Sequence, residues 1–409
     1  MKQGIFKKIE SYLDYALKLQ ENLIKIPALS PVDGGEGEYD KAQYLIRELK
    51  KLKFNNIKVI NAPDKRAKKG VRPNIIARYK GQSSKKTVWI MSHLDTVPVG
   101  DKSLWKYPPH KMTVKGDKIF GRGSQDNNQG IVSSMLTAKA LMDLKITPPL
   151  DIALLFVADE EHESNYGIKY LLQKHGKLFD KKDMFIVPDA GNWDGTQVEV
   201  AEKSIMWLKF TVLGKQAHGS DSHLGINSLN AAGHLIVNLE KLNKKFGEKN
   251  KIFVPPQNTF EVTKVQPNVP NINAIPGKTV FYADYRILPQ HKLSDILKET
   301  KKIIRQIEQK KKAKIKLEIV KKKQAPAPTP EQAQIVQLVL DAAKKIYRVN
   351  PKPQGIGGGT VASHLRLKGY HTVVYQRNDL MDHLSDEYCK MFNLLGDAKI
   401  FALSSINAR

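Results

Sequence analysis

Cysteine is nearly absent from this sequence of 409 residues, in which Cys389 is the single example. A lone cysteine excludes an intrachain disulfide and any zinc site built from several cysteines, and it fits the reducing cytosol. Long apolar segments are also absent, because no uninterrupted run approaches the ~18 residues of a membrane span. Charges interrupt the apolar positions of the N-terminal residues, which therefore lack a signal-peptide core. We predict a cytoplasmic protein with no membrane partner.

Acidic residues are few relative to basic ones. The 41 aspartates and glutamates stand against 67 lysines and arginines, which gives a formal net charge of +26. Such an excess keeps nucleic acids, acidic membranes and acidic substrates open as partners. Aromatic residues hardly interleave the lysine runs between Lys244 and Lys323, although a single-strand binding surface would require them. We therefore interpret these runs as a solvated surface rather than a nucleic-acid interface, with steering of an anionic substrate as the functional alternative.

One apolar stretch ends in residues that can carry chemistry. Val88–Met91 has the pattern of a strand buried on both faces, and His93 and Asp95 follow it. Ligands of open α/β sheets bind at the carboxyl ends of strands, and strand alternation places both side chains on one face. Asp95 can then accept the ring N–H of His93 and leave the other nitrogen for a metal. The alternative is a structural histidine, since His-x-Asp is common by chance.

Two other segments place acidic residues after turns or strands. The Gly-rich turn at 121–125 leads to Asp126 and then to a long helix, so the alternative to a metal ligand is a helix N-cap. The strand Ile152–Val157 runs into four acids within five residues, among them Glu160 and Glu161. Like charges this close repel each other unless cations neutralise them. In so basic a chain, this favours a cation site over a solvated acidic loop.

The predicted strand Met184–Val187 ends at Pro188 and Asp189, and His383 follows the predicted strand His371–Tyr375. Five candidate ligands therefore stand near strand ends or turns: His93, Asp126, Glu161, Asp189 and His383. Two imidazoles and three carboxylates suit zinc, with cobalt or manganese as alternatives. Three carboxylates exceed the need of one Zn²⁺, so two metal ions that share a bridging carboxylate fit better. Glu160 need not be a ligand, and a free carboxylate beside such a site can serve as the general base.

The order of predicted elements divides the chain into two domains. Strands and helices alternate over residues 1–203, the first part of an α/β domain. Residues 204–322 follow the order β-α-β-β-α-β, which is typical of an inserted ferredoxin-like domain. The Pro-rich segment Gln324–Pro330 is predicted to lead back to the first domain, which residues 323–409 complete. Its last helix is predicted to begin at Ser385.

Eight motifs match a known family in order and spacing: SHLDTVP at 92–98, GRGSQD at 121–126, Glu160–Glu161, Asp189, GKQAHGS at 214–220, NAIPG at 273–277, DYRILP at 284–289 and MDH at 381–383. On these motifs the sequence resembles, over nearly its whole length, the M20 metallopeptidases, among them succinyl-diaminopimelate desuccinylase, acetylornithine deacetylase, aminoacylase-1 and the glutamate carboxypeptidases. The resemblance implies a zinc-peptidase-like α/β catalytic domain with a mixed central sheet and helices on both faces. It also implies an α+β lid that forms a homodimer interface.

The resemblance assigns roles to individual residues of the first domain. It implies that His93, Asp126 and Asp189 hold one zinc ion. Asp126, Glu161 and His383 would hold the other, so that Asp126 bridges the two. Asp95 would orient His93, and Glu160 would be the general base and proton shuttle.

Further roles concern the substrate. By resemblance, His218 would reach into the active site of the partner subunit and stabilise the tetrahedral oxyanion. Arg286 would bind a substrate carboxylate, for which a bidentate guanidinium is well shaped. The other implied substrate-binding residues are Asn273, Gly358, Gly359 and Thr360.

Three departures from the family pattern leave the substrate open. Asn127–Gly130 replaces the more usual Met-Lys-Gly, His162 stands where Thr is frequent, and Val361 stands where many members have Asp. We predict a deacylase of N-succinyl or N-acetyl amino acids, because the basic lid and Arg286 favour an anionic substrate. A dipeptidase or carboxypeptidase that acts on short peptides is the alternative. A non-catalytic basic binding protein is disfavoured, because every proposed ligand and the base are present.

Overall fold

Helices and strands account for most of residues 2–54 and 56–409, the residues that the computed structural model describes. The strands, in chain order, are β1 Asn56–Pro63, β2 Val71–Tyr79, β3 Ser83–His93, β4 Thr113–Lys115, β5 Lys118–Phe120, β6 Leu150–Val157, β7 Met184–Asn192, β8 Gln197–Glu202, β9 Ser204–Leu213, β10 Ala217–His218, β11 Thr259–Val265, β12 Ala274–Ile275, β13 Lys278–Ile287, β14 Lys314–Lys323, β15 Lys352–Ile356, β16 His371–Arg377 and β17 Tyr388–Lys390. The helices are α1 Lys2–Glu10, α2 Leu13–Ile24, α3 Tyr39–Lys51, α4 Asn128–Asp143, α5 Ile168–Lys174, α6 Ser228–Leu239, α7 Lys241–Lys245, α8 Leu293–Lys311, α9 Gln334–Tyr347, α10 Ala362–Leu367 and α11 Met391–Asn407.

The chain divides into two compact units. The first unit comprises Met1–Val200, Thr329–Gln354 and Thr360–Arg409. The second comprises Ala201–Pro328 and Gly355–Gly359. Because the second unit interrupts the first in sequence, we call it the inserted unit.

The first unit is organised around a mixed sheet with the strand order β1-β2-β6-β3-β7-β16-β8-β15. The strands β6, β3, β7 and β16 run parallel to one another, whereas β2 and β8 flank them in the antiparallel direction. Every residue of β6 is buried, as expected for a strand with helices on both faces of its sheet. The carboxyl ends of the four parallel strands therefore meet at one edge of the sheet.

Helices cover both faces of this sheet. On one face, Trp89 and Met91 of β3 pack in a cluster with Ile168 of α5 and Leu365 of α10. Val361, at one of the departures from the family pattern, is buried in the same cluster. Strand alternation turns the neighbouring side chains of β3 to the other face, where α4 and α11 pack on each other and on the sheet. The predicted catalytic-domain fold is confirmed.

The inserted unit is built on an antiparallel sheet with the order β11-β13-β9-β14. Alternate side chains of β9, such as Leu208 and Phe210, pack with Leu235 of α6 and with Ile303 and Ile304 of α8. The sheet order and the helix positions are those of the predicted ferredoxin-like fold. A separate two-stranded pairing of β10 with β12 sets His218 opposite Ala274.

Two local predictions need correction. The last helix begins at Met391 rather than at Ser385, because Tyr388–Lys390 first forms a strand that pairs with Lys118–Phe120. The strand that carries Asp189 does not end there but continues to the end of β7, where it pairs with β16. Among the described helices, none carries an apolar segment of membrane-spanning length.

Candidate metal centre

Neighbouring parallel strands bring three of the predicted ligands to one edge of the sheet. β3 ends at His93 beside the last residue of β6, and Glu161 follows shortly after β6 in the chain. On the other side of β3, Ile90 pairs with Ile186 of β7. His93 and Asp189 each lie three residues beyond that pair, so the register places them side by side.

Asp126 and His383 come from loops. The loop before α4 turns at Gly123, which has φ +81° and where a Cβ atom would lie 2.8 Å from Cγ2 of Thr96. Only glycine is suited to such a position. Asn127, not Asp126, occupies the N-cap of α4, so the interpretation of Asp126 as an ordinary helix cap is wrong. His383 itself has φ +64° in the loop that follows β16.

The five side chains converge in two groups that share Asp126. Nε2 of His93 lies 2.8 Å from Oδ1 of Asp126 and 3.3 Å from Oδ1 of Asp189. Nε2 of His383 lies 3.3 Å from Oδ2 of Asp126 and 3.0 Å from Oε2 of Glu161. Within each group of three, all ligand atoms lie within 4.8 Å of one another. Asp126 thus offers one carboxylate oxygen to each group.

The carboxylates of the cluster lie so close together that a bound cation would stabilise their charged forms. Burial, and then the Asp126 carboxylate, raise the pKa of Glu161 to about 8. Hydrogen bonds to Asp126 and Glu161 raise the pKa of His383 to about 10. Burial alone would raise the pKa of Asp126, but its hydrogen bonds with His383 and His93 hold it below its usual range. Carboxylates this close favour a bound cation.

The donor atoms fit a metal ion. Oε1 of Glu161 is buried and has no hydrogen-bond partner among the described residues, although buried polar atoms are almost always paired. A cation next to Glu161 would give this oxygen its partner. Imidazole nitrogens combined with carboxylate oxygens are a donor set that suits zinc, cobalt and manganese.

Asp95 contacts both the histidine and the acidic segment. Nδ1 of His93 lies 3.1 Å from the carbonyl oxygen of Asp95 and 3.4 Å from Oδ1 of its carboxylate. The two carboxylate oxygens accept the backbone N–H groups of Glu160 and Glu161, each at 3.0 Å. Asp95 therefore also fixes the backbone from which these two glutamates project, a contact that the sequence pattern did not indicate.

Glu160 is placed beside the two groups without belonging to either. Its carboxylate accepts no hydrogen bond from any described residue. Burial raises its pKa well above the usual range, and the carboxylates of Asp189, Glu161 and Asp95 add to this shift. A carboxylate with a raised proton affinity and no protein partner is suited to exchange protons with water or substrate.

A buried ion-pair network supports the segment that carries Glu160. The guanidinium of Arg72 donates to both carboxylate oxygens of Glu38, and both residues are fully buried. Glu38 in turn accepts the backbone N–H of Asp159 at 3.1 Å, and Arg72 lies 3.4 Å from Oδ1 of Asp159. Sequence reasoning missed this network because nothing in the local pattern links positions 38, 72 and 159.

Substituting Arg72 by methionine is expected to lower the free energy of unfolding by about 3–5 kcal/mol, because Glu38 would remain buried without its partner. Chemical unfolding followed by circular dichroism measures the change. Lys25→Met is the matched control, since the side chains of Lys25 and its partner Glu21 are 50% and 42% exposed, and such surface pairs contribute at most ~1 kcal/mol. Equal destabilisation by the two substitutions would contradict the prediction.

One of the departures from the family pattern, Asn127, contacts the centre. The side-chain amide of Asn127 donates to Oδ1 of Asp189 at 3.1 Å and also to the carbonyl of Pro188. It thereby holds one of the candidate ligands in place. His162 points away to Asp33, with Nε2 2.7 Å from Oδ2.

The inserted unit holds five of the residues assigned to the substrate, and His218, Asn273 and Arg286 lie in its longer segment. The side-chain amide of Asn273 lies 3.3 Å from Nε2 of His218, so these two residues are neighbours at the β10–β12 pairing. Nε and NH2 of Arg286 donate to the two oxygens of Asp284, and NH1 donates to the carbonyl of Gly357 at 3.0 Å. The guanidinium is thus already oriented by protein contacts, and its binding of substrate stays a prediction.

The glycine-rich loop is divided between the two units. A Cβ atom at Gly359 would lie 3.2 Å from Nζ of Lys323 and 3.3 Å from Oε2 of Glu202, whereas Gly358 has open space around it. Thr360 belongs to the first unit, where its hydroxyl accepts the N–H of Ala362 at the start of α10. The N-cap of α10 is Val361, so Thr360 lies one residue before the cap.

The sequence is similar to known metallohydrolases over most of its length. A family model described as peptidase family M20/M25/M40 matches residues 89–405. An uncharacterized metallohydrolase of Methanocaldococcus jannaschii is 39% identical over 406 residues, which cover 95% of this chain and 98% of that protein. A succinyl-diaminopimelate desuccinylase of Pelagibacter ubique is 26% identical over 354 residues, which cover 86% and 88%.

The fold is also similar to that of a solved structure. The structure of aminopeptidase PepT from Bacillus cereus is similar with a TM-score of 0.76 and 16% sequence identity. The similarity covers 96% of this chain and 98% of that one. At this level of identity the comparison concerns the fold alone.

Proposed function

The chain belongs to peptidase family M20/M25/M40 and is a metal-dependent hydrolase, and on that premise we propose that it cleaves the amide bond of N-acyl amino acids with two zinc ions. The observation that carries the proposal is the contact of Asp126 with His93 through Oδ1 and with His383 through Oδ2. A carboxylate used at both oxygens joins two ligand groups, as in hydrolases whose metal ions lie roughly 3.5–4 Å apart. Cobalt or manganese would suit the same donors.

The proposed reaction uses the protein's own residues for proton transfer. Zinc held by the five ligands would supply Lewis-acid chemistry, lowering the pKa of a water molecule and polarising the substrate carbonyl. Glu160 takes the proton of the attacking water and then donates it to the leaving amine nitrogen. Asp95 keeps Glu160 in position through its backbone N–H. His218 is proposed to stabilise the anionic tetrahedral species as a hydrogen-bond donor.

An anionic acyl group is the proposed substrate feature. Residues 201–328 of the inserted unit include 24 lysines and arginines against 10 aspartates and glutamates, and such an excess draws anions by electrostatic steering. Arg286 is held in a defined orientation by Asp284 and presents a guanidinium to a carboxylate. The succinyl-diaminopimelate desuccinylase of Pelagibacter ubique, similar over most of the chain, supports the same substrate class.

A homodimer through the inserted unit is part of the proposal. Asn273 and His218 are paired in that unit, and in the proposed assembly they act on substrate bound by the partner subunit. Sedimentation velocity of the full chain measures the oligomeric state directly. A monomer at all protein concentrations would rule out this part and leave the proposed reaction to be tested separately.

The experiment that tests the proposed function is a hydrolysis screen of zinc-loaded or cobalt-loaded protein. N-succinyl-diaminopimelate, N-acetylornithine and other N-acyl amino acids are assayed beside a set of dipeptides. We expect amine release from acyl substrates, fastest where the acyl group carries a carboxylate, and loss of that release when a chelator removes the metal. Glu160→Gln protein, purified in the same way, controls for contaminating hydrolases.

The other outcomes of the screen are equally informative. Cleavage confined to dipeptides would assign the protein to the peptidase branch and contradict the acyl substrate class. Chelator-resistant cleavage that persists in Glu160→Gln protein would show that a contaminant was measured. No cleavage of either set by metal-loaded protein would contradict both proposed substrates.

A further inference from the structure

A buried glutamate that is not one of the five candidate ligands accepts several hydrogen bonds from the loop that carries Asp126. Glu387 is fully buried, and its two carboxylate oxygens accept four hydrogen bonds from that loop. Three of the four donors are backbone N–H groups, so the carboxylate fixes the course of the main chain. The contacts are Gly123 N at 2.8 Å and Arg122 NH1 at 2.8 Å to Oε2, and Gln125 N at 2.9 Å and Asp126 N at 3.0 Å to Oε1.

Glu387 also belongs to the segment that carries the second loop ligand. It lies four residues after His383 in the sequence, and its own carbonyl accepts the N–H of Gly121 at 2.9 Å. The side chain of Gln125 donates to Oδ1 of Asp382 across the same two segments. The loops that present Asp126 and His383 are therefore joined through one buried side chain.

We propose that Glu387 is a positioning residue that fixes Asp126 and His383 relative to each other and so forms the group of Asp126, Glu161 and His383 before a cation binds. The inference rests on the proposed function for the identity of that cation. The inference adds to the proposed function a residue that is neither a metal ligand nor a substrate contact. We call Glu387 and its four donors the Glu387 clamp.

The Glu387 clamp supports more ligands of one group than of the other. A positioning effect should therefore weaken one metal site more than the other, whereas a general loss of stability should weaken both. Two members of the Asp126–Glu161–His383 group lie on segments that Glu387 joins. In the other group only Asp126 does, because His93 and Asp189 are held by the register of β3 and β7. Loss of the carboxylate would leave buried N–H groups without an acceptor, and the loops would relax while the strands stay in place.

A matched control exists at the other end of β3. Asp183 is also buried and accepts the backbone N–H of Thr87, the indole N–H of Trp89 and the N–H of Asp180 at 2.8–3.0 Å. Asp183→Asn therefore removes a comparable set of hydrogen bonds from the same sheet. It does so at the end of β3 opposite to His93, so it tests the effect of destabilisation alone.

The experiment measures zinc affinity by competition with a chelating dye and cobalt absorption spectra for the wild type, Glu387→Gln and Asp183→Asn. In Glu387→Gln we expect one ion to be bound as in the wild type and the second to bind about 10–100-fold more weakly, the range known for residues that support metal ligands. The cobalt spectrum should lose the contribution of one site. Asp183→Asn should lower the unfolding midpoint and keep both ions.

Unchanged binding of both ions by Glu387→Gln would overturn the inference, as would an equal loss at both sites or the same loss in Asp183→Asn. If Glu387→Gln does not fold, hydrogen exchange in the metal-free wild type decides. The amides of Gly123, Gln125 and Asp126 should then be protected, and rapid exchange at these positions would contradict the clamp. A wild type that binds no zinc would defeat the proposed function, whereas the exchange result would still decide the role of Glu387.

Discussion

Replacing Glu160 by glutamine is expected to lower kcat by about 10⁴-fold while both metal ions stay bound, because general acid–base residues contribute up to that factor. The substitution keeps the size of the side chain and removes its capacity to accept a proton. Glu160 is proposed to act in two steps, as base toward water and as acid toward the leaving amine. Both steps are lost together, so the effect belongs at the upper end of the range.

The structure gives reasons to expect that metal binding survives this substitution. Glu160 belongs to neither group of converging ligand atoms, and the hydrogen bond that positions it runs from its backbone N–H to Asp95. Neither feature depends on the carboxylate. Steady-state kinetics and elemental analysis of the same preparation measure the two quantities independently.

Glu163→Gln is the matched control for this prediction. It removes a carboxylate from the same acidic segment, but the side chain of Glu163 is largely exposed and forms an ion pair with Lys169 at 3.3 Å. We expect near-normal turnover from Glu163→Gln. If Glu160→Gln retained comparable turnover, the assignment of Glu160 as the base would be wrong. Loss of metal from Glu160→Gln would instead make it a ligand.

The predicted M20 family and fold are confirmed. The family prediction rests on eight motifs spread over residues 92–383, whereas the signals for the sheet that positions the site are local. The apolar run that ends at His93 and the one that precedes the Glu160–Glu161 pair each indicate a buried strand followed by polar groups. Parallel strands have their carboxyl ends at one edge, so polar groups that follow such strands converge in space. This logic accounts for His93, Glu161 and Asp189, whereas Asp126 and His383 lie on loops that it does not place.

The supporting contacts could not be predicted in the same way. Glu38 meets Arg72 and Asp159, and Glu387 meets the 122–126 loop, across separations of 34 to 265 residues. No periodicity connects such positions, because the contacts depend on how loops cross after the sheet has formed. The acidic residue type of Glu387 does not indicate a supporting role either, since it lies in a polar segment that resembles a solvated loop.

The roles of Arg286 and Thr360 in substrate binding remain predictions, because both side chains already form hydrogen bonds within the protein. The residue type of Arg286 indicates an anion-binding group, but its sequence position does not reveal that Asp284 already engages two of its donors. Likewise the family resemblance assigns Thr360 to substrate binding, whereas its hydroxyl accepts the N–H of Ala362 at the start of α10. The roles of both residues stay predictions that the substrate screen and variant kinetics can decide.

Asp126→Asn is expected to remove both metal ions and with them all hydrolysis, an effect larger than that of any other single ligand. The reason is that Oδ1 serves the group of His93 and Asp189, while Oδ2 serves the group of Glu161 and His383. An amide keeps one weak oxygen donor and loses the negative charge. Elemental analysis after dialysis and a zinc titration followed by calorimetry measure the loss.

Asp189→Asn is the matched control for this last prediction, because it makes the same chemical change in a residue that belongs to one group only. It should leave one ion bound, in the group of Asp126, Glu161 and His383. The backbone N–H of Asp126 continues to donate to Glu387 in either variant, so the loop stays in place. Two ions bound to Asp126→Asn, or equal losses from both variants, would contradict the bridging role and reduce the centre to independent sites.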